Sequence, residues 1–96
     1  MDILFHATAP ESTRLLQPLV EAARRCGISF ACFFTHESVL GLGNEALLTA
    51  LRTAERAVVC EESWHRFCPG LACPLESGSQ TSNSALMGEA RKVVSL

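Results

Sequence analysis

The sequence predicts a single domain over residues 1–96, with a three-layer α/β/α architecture and a mainly parallel sheet of four to five strands. Two observations lead to this fold class. The chain has 96 residues and is 48% apolar, which is enough for one hydrophobic core but not for two. Short apolar runs of strand type also alternate with amphipathic stretches of helical period. Strands joined by helices in this order pair in parallel through right-handed crossovers, which place helices on both faces of the sheet.

The first strand and the first helix lie in the N-terminal quarter of the chain. Residues 2–8 begin with an unbroken apolar run, which is typical of a strand buried on both faces. The next helix is predicted to start at Ser12 or Thr13, either of which can cap it, and to stop at Gly27 in a left-handed conformation. A proline inside a helix costs about 3 kcal/mol, so Pro18 favours a later start or a kink at that residue.

Two further strands flank a second helix. Residues 28–34 are rich in aromatic and β-branched side chains and follow a glycine, so they form the second strand. Asn44 is predicted to cap a helix that ends near Glu55. The apolar run over residues 57–60 then forms the third strand, which completes a strand, helix, strand, helix, strand order.

The C-terminal third is more polar and contains many turn residues. Prolines, glycines and serines interrupt residues 60–82, so most of this segment is expected to be loop, with one helical turn at Glu61–Phe67. Ser82 or Ser84 is predicted to cap a short last helix. Residues 91–96 are expected to form the final strand.

Composition and charge exclude several classes of protein. Eight basic residues stand against ten acidic ones, and the net charge of −2 argues against nucleic-acid binding, which requires a basic face. No apolar stretch approaches the roughly 20 residues of a membrane span. Five cysteines, an odd number, are spread through a chain without a recognisable cleavable signal, so free thiols in a reducing cytoplasm are expected. Phosphate-loop, dinucleotide and serine-hydrolase motifs are missing, and no organic cofactor is expected.

Cys60 is the main candidate for chemistry. In an open parallel sheet the ligand crevice lies beyond the carboxyl ends of the strands, where residues 8–11, 35–38 and 60–64 should converge. Cys60 is the only cysteine predicted at this edge. If a helical turn begins at Glu61, its backbone N–H groups favour the thiolate, which is the nucleophilic form. The alternative is an inert thiol that ends a buried strand.

The histidines near the predicted crevice and two further cysteines can be explained by structure alone, without a functional role. His36, with Glu37 beside it, is a candidate for orienting or protonating a group in the crevice, but a solvated loop histidine explains it equally simply. His6 lies inside the first strand and is expected to be a hydrogen-bonded core residue. Cys26 and Cys32, on an apolar helix stripe and in mid-strand, are expected to be small core hydrophobes.

Further cysteines and a histidine follow Cys60 closely in the sequence. Together the four residues form a C-x4-H-x2-C-x4-C array in a loop-rich segment: Cys60, His65, Cys68 and Cys73. The array contains no paired C-x2-C hooks and matches no standard zinc or iron–sulfur spacing, so no metal is predicted. A reversible disulfide or resolving pair formed by Cys68 and Cys73 is the other open alternative.

Three short motifs resemble the DsrE/TusD-like (DsrE/DsrF-like) sulfur-relay family. The Thr-Ala-Pro loop at 8–10 follows the opening strand, and residues 33–39 (FFTHESV) are similar to the family's FF-x-x-x-G-V segment. Residues 90–96 (ARKVVSL) are similar to its closing a-D-R-V-V-x-F strand. Residues 58–60 lie where the family's strand ends in its sulfur-carrying cysteine. The similarity extends over nearly the whole chain.

The resemblance implies a fold with flavodoxin-like layering and a function in sulfur relay. Cys60 would accept a persulfide sulfur from a donor protein and pass it to an acceptor protein, without a metal or an organic cofactor; His36, Glu37, His65, Cys68 and Cys73 are auxiliary candidates. Acidic and aromatic residues follow Cys60 where family members have small residues and a basic pair. A non-catalytic binding or assembly subunit of the same fold therefore stays an alternative, as does a thiol-ligated metal site.

The sequence also predicts a homo-oligomer. Bulky apolar residues are numerous near the predicted loops, namely Phe33, Phe34, Trp64, Phe67 and Leu71. An apolar surface of this size on a small domain favours association, and the resembled family forms homo- or hetero-oligomers.

Overall fold

The computed structural model describes all 96 residues and contains five strands, four α-helices and one 3₁₀ helix. In chain order the elements are β1 (Ile3–Ala7), α1 (Ser12–Arg25), β2 (Phe30–Phe34), the 3₁₀ helix (His36–Gly43), α2 (Glu45–Leu51), β3 (Arg56–Cys60), α3 (Glu61–Phe67), β4 (Glu76–Gly78), α4 (Gln80–Glu89) and β5 (Lys92–Ser95). None of the helices combines the length and the apolar character that crossing a membrane requires.

The five strands form one parallel sheet in the order β4-β3-β2-β1-β5. This arrangement confirms the predicted α/β/α fold and its parallel sheet. The central strand, β2, is apolar and buried at every position, and the strands on either side of it, β1 and β3, are each apolar at four of five positions. The edge strands β4 and β5 are short and mostly exposed.

The two faces of the sheet are covered unequally. On one face, α1, α2, α3 and the 3₁₀ helix enclose a core of 14 buried residues. On the other face a smaller core of six buried residues lies under α4 alone: Leu4, Ala31, Phe33, Val58, Cys60 and Leu86. Because β4 and β5 are opposite edges of the sheet, the crossover through α4 has to span its whole width. The N-terminus of α4 consequently starts beside the carboxyl ends of β4 and β3.

Helix α1 begins earlier than Pro18 suggested. It starts at Ser12 and continues through the proline, which faces solvent, so the carbonyl that loses its partner can be hydrated. Ser12 does not cap the helix; its Oγ accepts from the Ala9 amide at 3.1 Å and donates to the Leu96 carbonyl at 3.0 Å. The expected left-handed stop at Gly27 is confirmed, with φ +69°.

The segment that was expected to be loop contains β4 and the start of α4. Strand β4 pairs with β3 over three residues, and the side chains of Glu76 and Arg56 form an ion pair across the two strands. Helix α4 is capped by Ser79, which with Ser82 forms a capping box, rather than by Ser82 or Ser84 as predicted. The predicted cap at Asn44 is confirmed, since its side chain accepts from the Leu47 amide at 3.2 Å.

Candidate functional site

Cys60 is the last residue of β3 and the residue from which α3 begins. It packs in the smaller core on the α4 side of the sheet, and 5% of its surface is exposed. That exposed part lines a cleft of about 360 Å³. The other lining residues come from the start of α3 and from the β4–α4 junction: Glu61, Glu62, Gly78, Ser79, Gln80 and Thr81. Cys60 is therefore mostly buried, and it borders a cleft that is large enough for a small reactant.

Two buried hydroxyl groups lie beside the Cys60 sulfur. Thr35 follows β2 and Ser63 lies in the first turn of α3, and both are buried where α3 packs against the 3₁₀ helix that follows β2. Their oxygens are 3.2 Å apart. The backbone N–H of His36 donates to Ser63 Oγ at 2.8 Å. The sulfur is thus next to polar groups that are held in place by secondary structure.

A donor from α4 completes the surroundings of the sulfur. Gln80 Nε2 is 3.8 Å from Cys60 Sγ and 3.4 Å from Thr35 Oγ1. The amide oxygen of Gln80 accepts from Asn83 Nδ2 at 3.4 Å, one helical turn further along α4. The Cys60 sulfur therefore lies between two helices. Helix α3 contributes a hydroxyl and backbone amides, and α4 contributes the primary amide of Gln80.

Hydrogen-bond donors around Cys60 lower the pKa of its thiol. Burial raises the pKa of the thiol, but hydrogen bonds from the side chain and amide of Ser63, the hydroxyl of Thr35 and the amide of Glu62 outweigh that effect, so the pKa lies below its ordinary value. The thiolate is the form of cysteine that acts as a nucleophile. The expected contribution of the backbone N–H groups after Cys60 is therefore present, together with hydroxyl groups that add to it.

His36 takes part through its backbone rather than through its ring. Its φ is +53°, the only positive value at a non-glycine residue in the chain. A left-handed backbone at such a residue costs about 1 kcal/mol or more, and here it aims the amide at Ser63 Oγ. The side chains of His36 and Glu37 are exposed and form no hydrogen bond or ion pair. The predicted auxiliary function of these side chains stays a prediction.

The residues of the C-x4-H-x2-C-x4-C array are not brought together around Cys60. Cys68 packs in the larger core and Cys73 packs against it, so both lie on the opposite face of the sheet from Cys60. Burial, together with the neighbouring Cys73, raises the pKa of Cys68. His65 is exposed on α3. No three or more histidine, cysteine, aspartate or glutamate side chains are arranged to hold a metal ion.

Two sequence expectations about buried side chains need correction. Cys26 is exposed, because α1 ends one residue before it and the chain turns outward at Gly27. Phe33 and Phe34 are fully buried under α4 and under the α1 layer respectively, and so they add nothing to the surface. Cys32 is a buried core residue, as expected.

The apolar surface that remains near the loops is smaller than expected. Trp64 and Phe67 are half-buried, and Trp64 Nε1 donates to the Leu71 carbonyl at 2.8 Å. Leu71 itself is 66% exposed. The homo-oligomer stays a prediction.

Sequence reasoning placed Cys60 at the carboxyl edge of the sheet, where the structure has it, but missed the side chains around its sulfur. Thr35 and Ser63 lie within segments that were expected to converge there, but nothing in the sequence singles out their hydroxyls. Gln80 was missed because β4, which places it beside Cys60, is too short and polar to give a strand pattern. Comparison with models of known protein families gives no match to this chain, and comparison with curated proteins likewise gives none.

Proposed function

We propose that this protein carries sulfur as a persulfide on Cys60. The observation that carries the proposal is the placement of the Cys60 sulfur, which lies at the edge of a cleft among hydrogen-bond donors. A thiol in these surroundings ionises readily and can be reached by a reactant. Burial raises the pKa of Cys32 and of Cys68, which makes these two thiols less suited to the same chemistry.

Loading takes place by thiolate attack on the outer sulfur of a donor persulfide, R–S–SH. A bond forms between Cys60 Sγ and that sulfur while the S–S bond of the donor breaks, and the electron pair of that bond leaves with R–S⁻. Cys60 then holds S–SH. In delivery, an acceptor thiolate attacks the same outer sulfur and Cys60 leaves as a thiolate. Each step transfers a sulfur atom, and neither requires an external oxidant or reductant.

The resemblance to the DsrE/TusD-like sulfur-relay family supports this proposal independently. The segment 33–39 that resembles the family motif includes Thr35, which borders the sulfur, and residues 58–60 end in the cysteine itself. A donor protein and an acceptor protein in sulfur metabolism are the partners that this function requires. A non-catalytic subunit with the same fold is the competing function, and it requires no reactivity at Cys60.

Intact mass spectrometry after incubation with a persulfide donor tests the proposal. The wild-type protein should gain one sulfur atom, and peptide mapping should place it on Cys60. Cys60→Ser should gain none, because a hydroxyl has a much higher pKa than a thiol and stays protonated. Cys26→Ser is the matched control, since Cys26 is exposed on the other side of the sheet and should not affect loading. Undiminished loading of Cys60→Ser, or sulfur mapped mainly to another cysteine, would reject the proposal.

A further inference from the structure

Gln80 has two amide protons and two acceptors within reach. Its Nε2 lies 3.8 Å from Cys60 Sγ and 3.4 Å from Thr35 Oγ1. A primary amide nitrogen donates only, so both contacts have the same direction, from Gln80 to its neighbours. A hydrogen bond on the other side of the amide orients the Gln80 side chain: Gln80 Oε1 accepts from Nδ2 of the buried Asn83 at 3.4 Å. In a flipped amide Nε2 would face Asn83 Nδ2, and because both groups only donate, that contact would be lost.

The direction of donation at Gln80 also determines what the hydroxyls can do. Thr35 and Ser63 each have one proton and two lone pairs. Gln80 donates to Thr35 Oγ1, and the His36 backbone N–H donates to Ser63 Oγ. Each oxygen already accepts from a nitrogen that cannot accept in return, and the two hydroxyls are 3.2 Å apart, so one hydroxyl proton lies between the two oxygens. When Ser63 supplies that proton, the Thr35 proton is free to point at the Cys60 sulfur.

We infer that Gln80 stabilises the anionic sulfur of Cys60, by donating to it directly and by orienting the Thr35 hydroxyl toward it. The effect of Gln80 on sulfur transfer rests on the proposed function. The contact between Gln80 and the Cys60 sulfur does not depend on that function. In delivery Cys60 is the leaving group, and a thiol of lower pKa leaves faster. In loading, the same stabilisation raises the thiolate fraction but lowers the nucleophilicity of each thiolate, so the two effects partly cancel. Gln80 therefore matters more for delivery than for loading.

The ionisable groups near the sulfur come from three elements. Glu61 and Glu62 line the cleft from α3, His36 lies at the start of the 3₁₀ helix, and His6 lies on β1 on the same face of the sheet. Helix α4 has no charged residue before Glu89 at its end. Replacing Gln80 by an uncharged residue therefore changes donation to the sulfur without changing the surrounding charges.

Gln80→Met tests the inference, because methionine has a similar length and no N–H group. Gln80 is exposed, so the methionine side chain is not forced into the core, although the buried Asn83 amide loses its acceptor. Ser84→Met is the matched control: it places the same side chain on an exposed position of α4 outside the cleft. Far-ultraviolet circular dichroism verifies that both variants are folded.

The first measurement does not involve sulfur transfer. The rate of Cys60 alkylation by iodoacetamide is followed against pH, with peptide mapping to separate Cys60 from the other cysteines. Loss of hydrogen bonds to an anion should move the midpoint up by about one pH unit in Gln80→Met, equivalent to a roughly tenfold lower thiolate fraction below the midpoint. Ser84→Met should have the wild-type midpoint. An unchanged midpoint in Gln80→Met overturns the inference.

The second measurement follows delivery of sulfur from the loaded protein to a small thiol acceptor. Delivery should be severalfold slower in Gln80→Met than in Ser84→Met, with a smaller effect on loading. If no variant loads sulfur and the alkylation midpoint still moves, the proposed function fails and the Gln80 contact stands. If loading proceeds on Cys60 and neither the midpoint nor delivery changes, the inference about Gln80 fails and the proposed function stands.

Discussion

Cys60 lies opposite Gly78 in the last pair of the parallel β3–β4 register. Gly78 has no space for a side chain, because an added Cβ would lie 2.5 Å from Cγ1 of Val58 and 3.0 Å from Oγ of Ser82. Ser82 belongs to the capping box that starts α4. The close approach at Gly78 therefore brings the start of α4, and with it Gln80, to within hydrogen-bond distance of the Cys60 sulfur.

Replacing Gly78 by alanine should lower the free energy of unfolding by about 1–3 kcal/mol, because the new methyl group has to displace Val58 or Ser82. Urea unfolding measures the change. Gly88→Ala is the control within α4: its Cβ would meet nothing within 4 Å, and alanine there should stabilise the protein by about 0.5 kcal/mol. Equal stability of Gly78→Ala and the wild type would contradict the packing argument.

Cys32→Ser should destabilise the protein by about 1–3 kcal/mol, since it places a hydroxyl in a fully buried apolar position. Cys26→Ser should change the free energy of unfolding by less than about 0.5 kcal/mol, because Cys26 is exposed. Thermal unfolding of the two variants under reducing conditions compares them directly. A larger loss of stability for Cys26→Ser than for Cys32→Ser would show that the cores are assigned wrongly.

The acidic wall of the cleft should select against anionic reactants. Glu61 and Glu62 line the cleft, are exposed and have no ion-pair partner. Replacing both by glutamine should raise the ratio of the iodoacetate to the iodoacetamide rate at Cys60 by about two- to threefold, since only iodoacetate is charged. Because both reagents react with the same thiolate, the ratio of their rates does not depend on the thiolate fraction. The effect should diminish at high salt, and a ratio that does not change at low salt would exclude electrostatic selection.

The histidine in β1 should make stability depend on pH. Burial lowers the pKa of His6, and the charge of nearby His36 lowers it further. Above the unfolded-state pKa of about 6.5 the ring is neutral in both states, whereas below it the unfolded chain binds a proton more readily. The free energy of unfolding should therefore fall as the pH is lowered from about 7 to about 5.

His6→Phe provides the comparison, because phenylalanine does not titrate and fits beside the Phe33 ring, whose centroid lies 6.0 Å from that of His6. Its stability should change less over the same pH interval. If the free energy of unfolding changed with pH in the same way in the variant and the wild type, groups other than His6 would be responsible for the pH dependence.

The central part of the fold could be predicted from sequence because its strands are buried on both faces. Residues 30–34 are apolar at every position, and such a run forms a central parallel strand in almost any context. The position of Cys60 followed from the same rule, since the run over 57–60 ends where polar residues of a helical turn begin. Asn44 and Gly27 were recognisable because capping depends on one residue and its neighbours.

The α4 side of the cleft could not be predicted because it depends on strand pairing at an edge of the sheet. Residues 76–78 are polar and few, and they form a strand only because β3 offers an unpaired edge. Without β4 there was no reason to place Gln80 beside Cys60. The left-handed backbone at His36 could not be predicted from the sequence either, since it is imposed by packing and not by a preference of histidine.

Cys60 is the only cysteine on its face of the sheet. Cys32, Cys68 and Cys73 belong to the opposite core, and Cys26 borders it. A complete layer of β-structure separates Cys60 from every other thiol of its own chain. A persulfide on Cys60 consequently has no internal thiol to resolve it, so its sulfur atom leaves only to another molecule. A disulfide at Cys60 would likewise have to form with a thiol of another molecule rather than with one of its own chain.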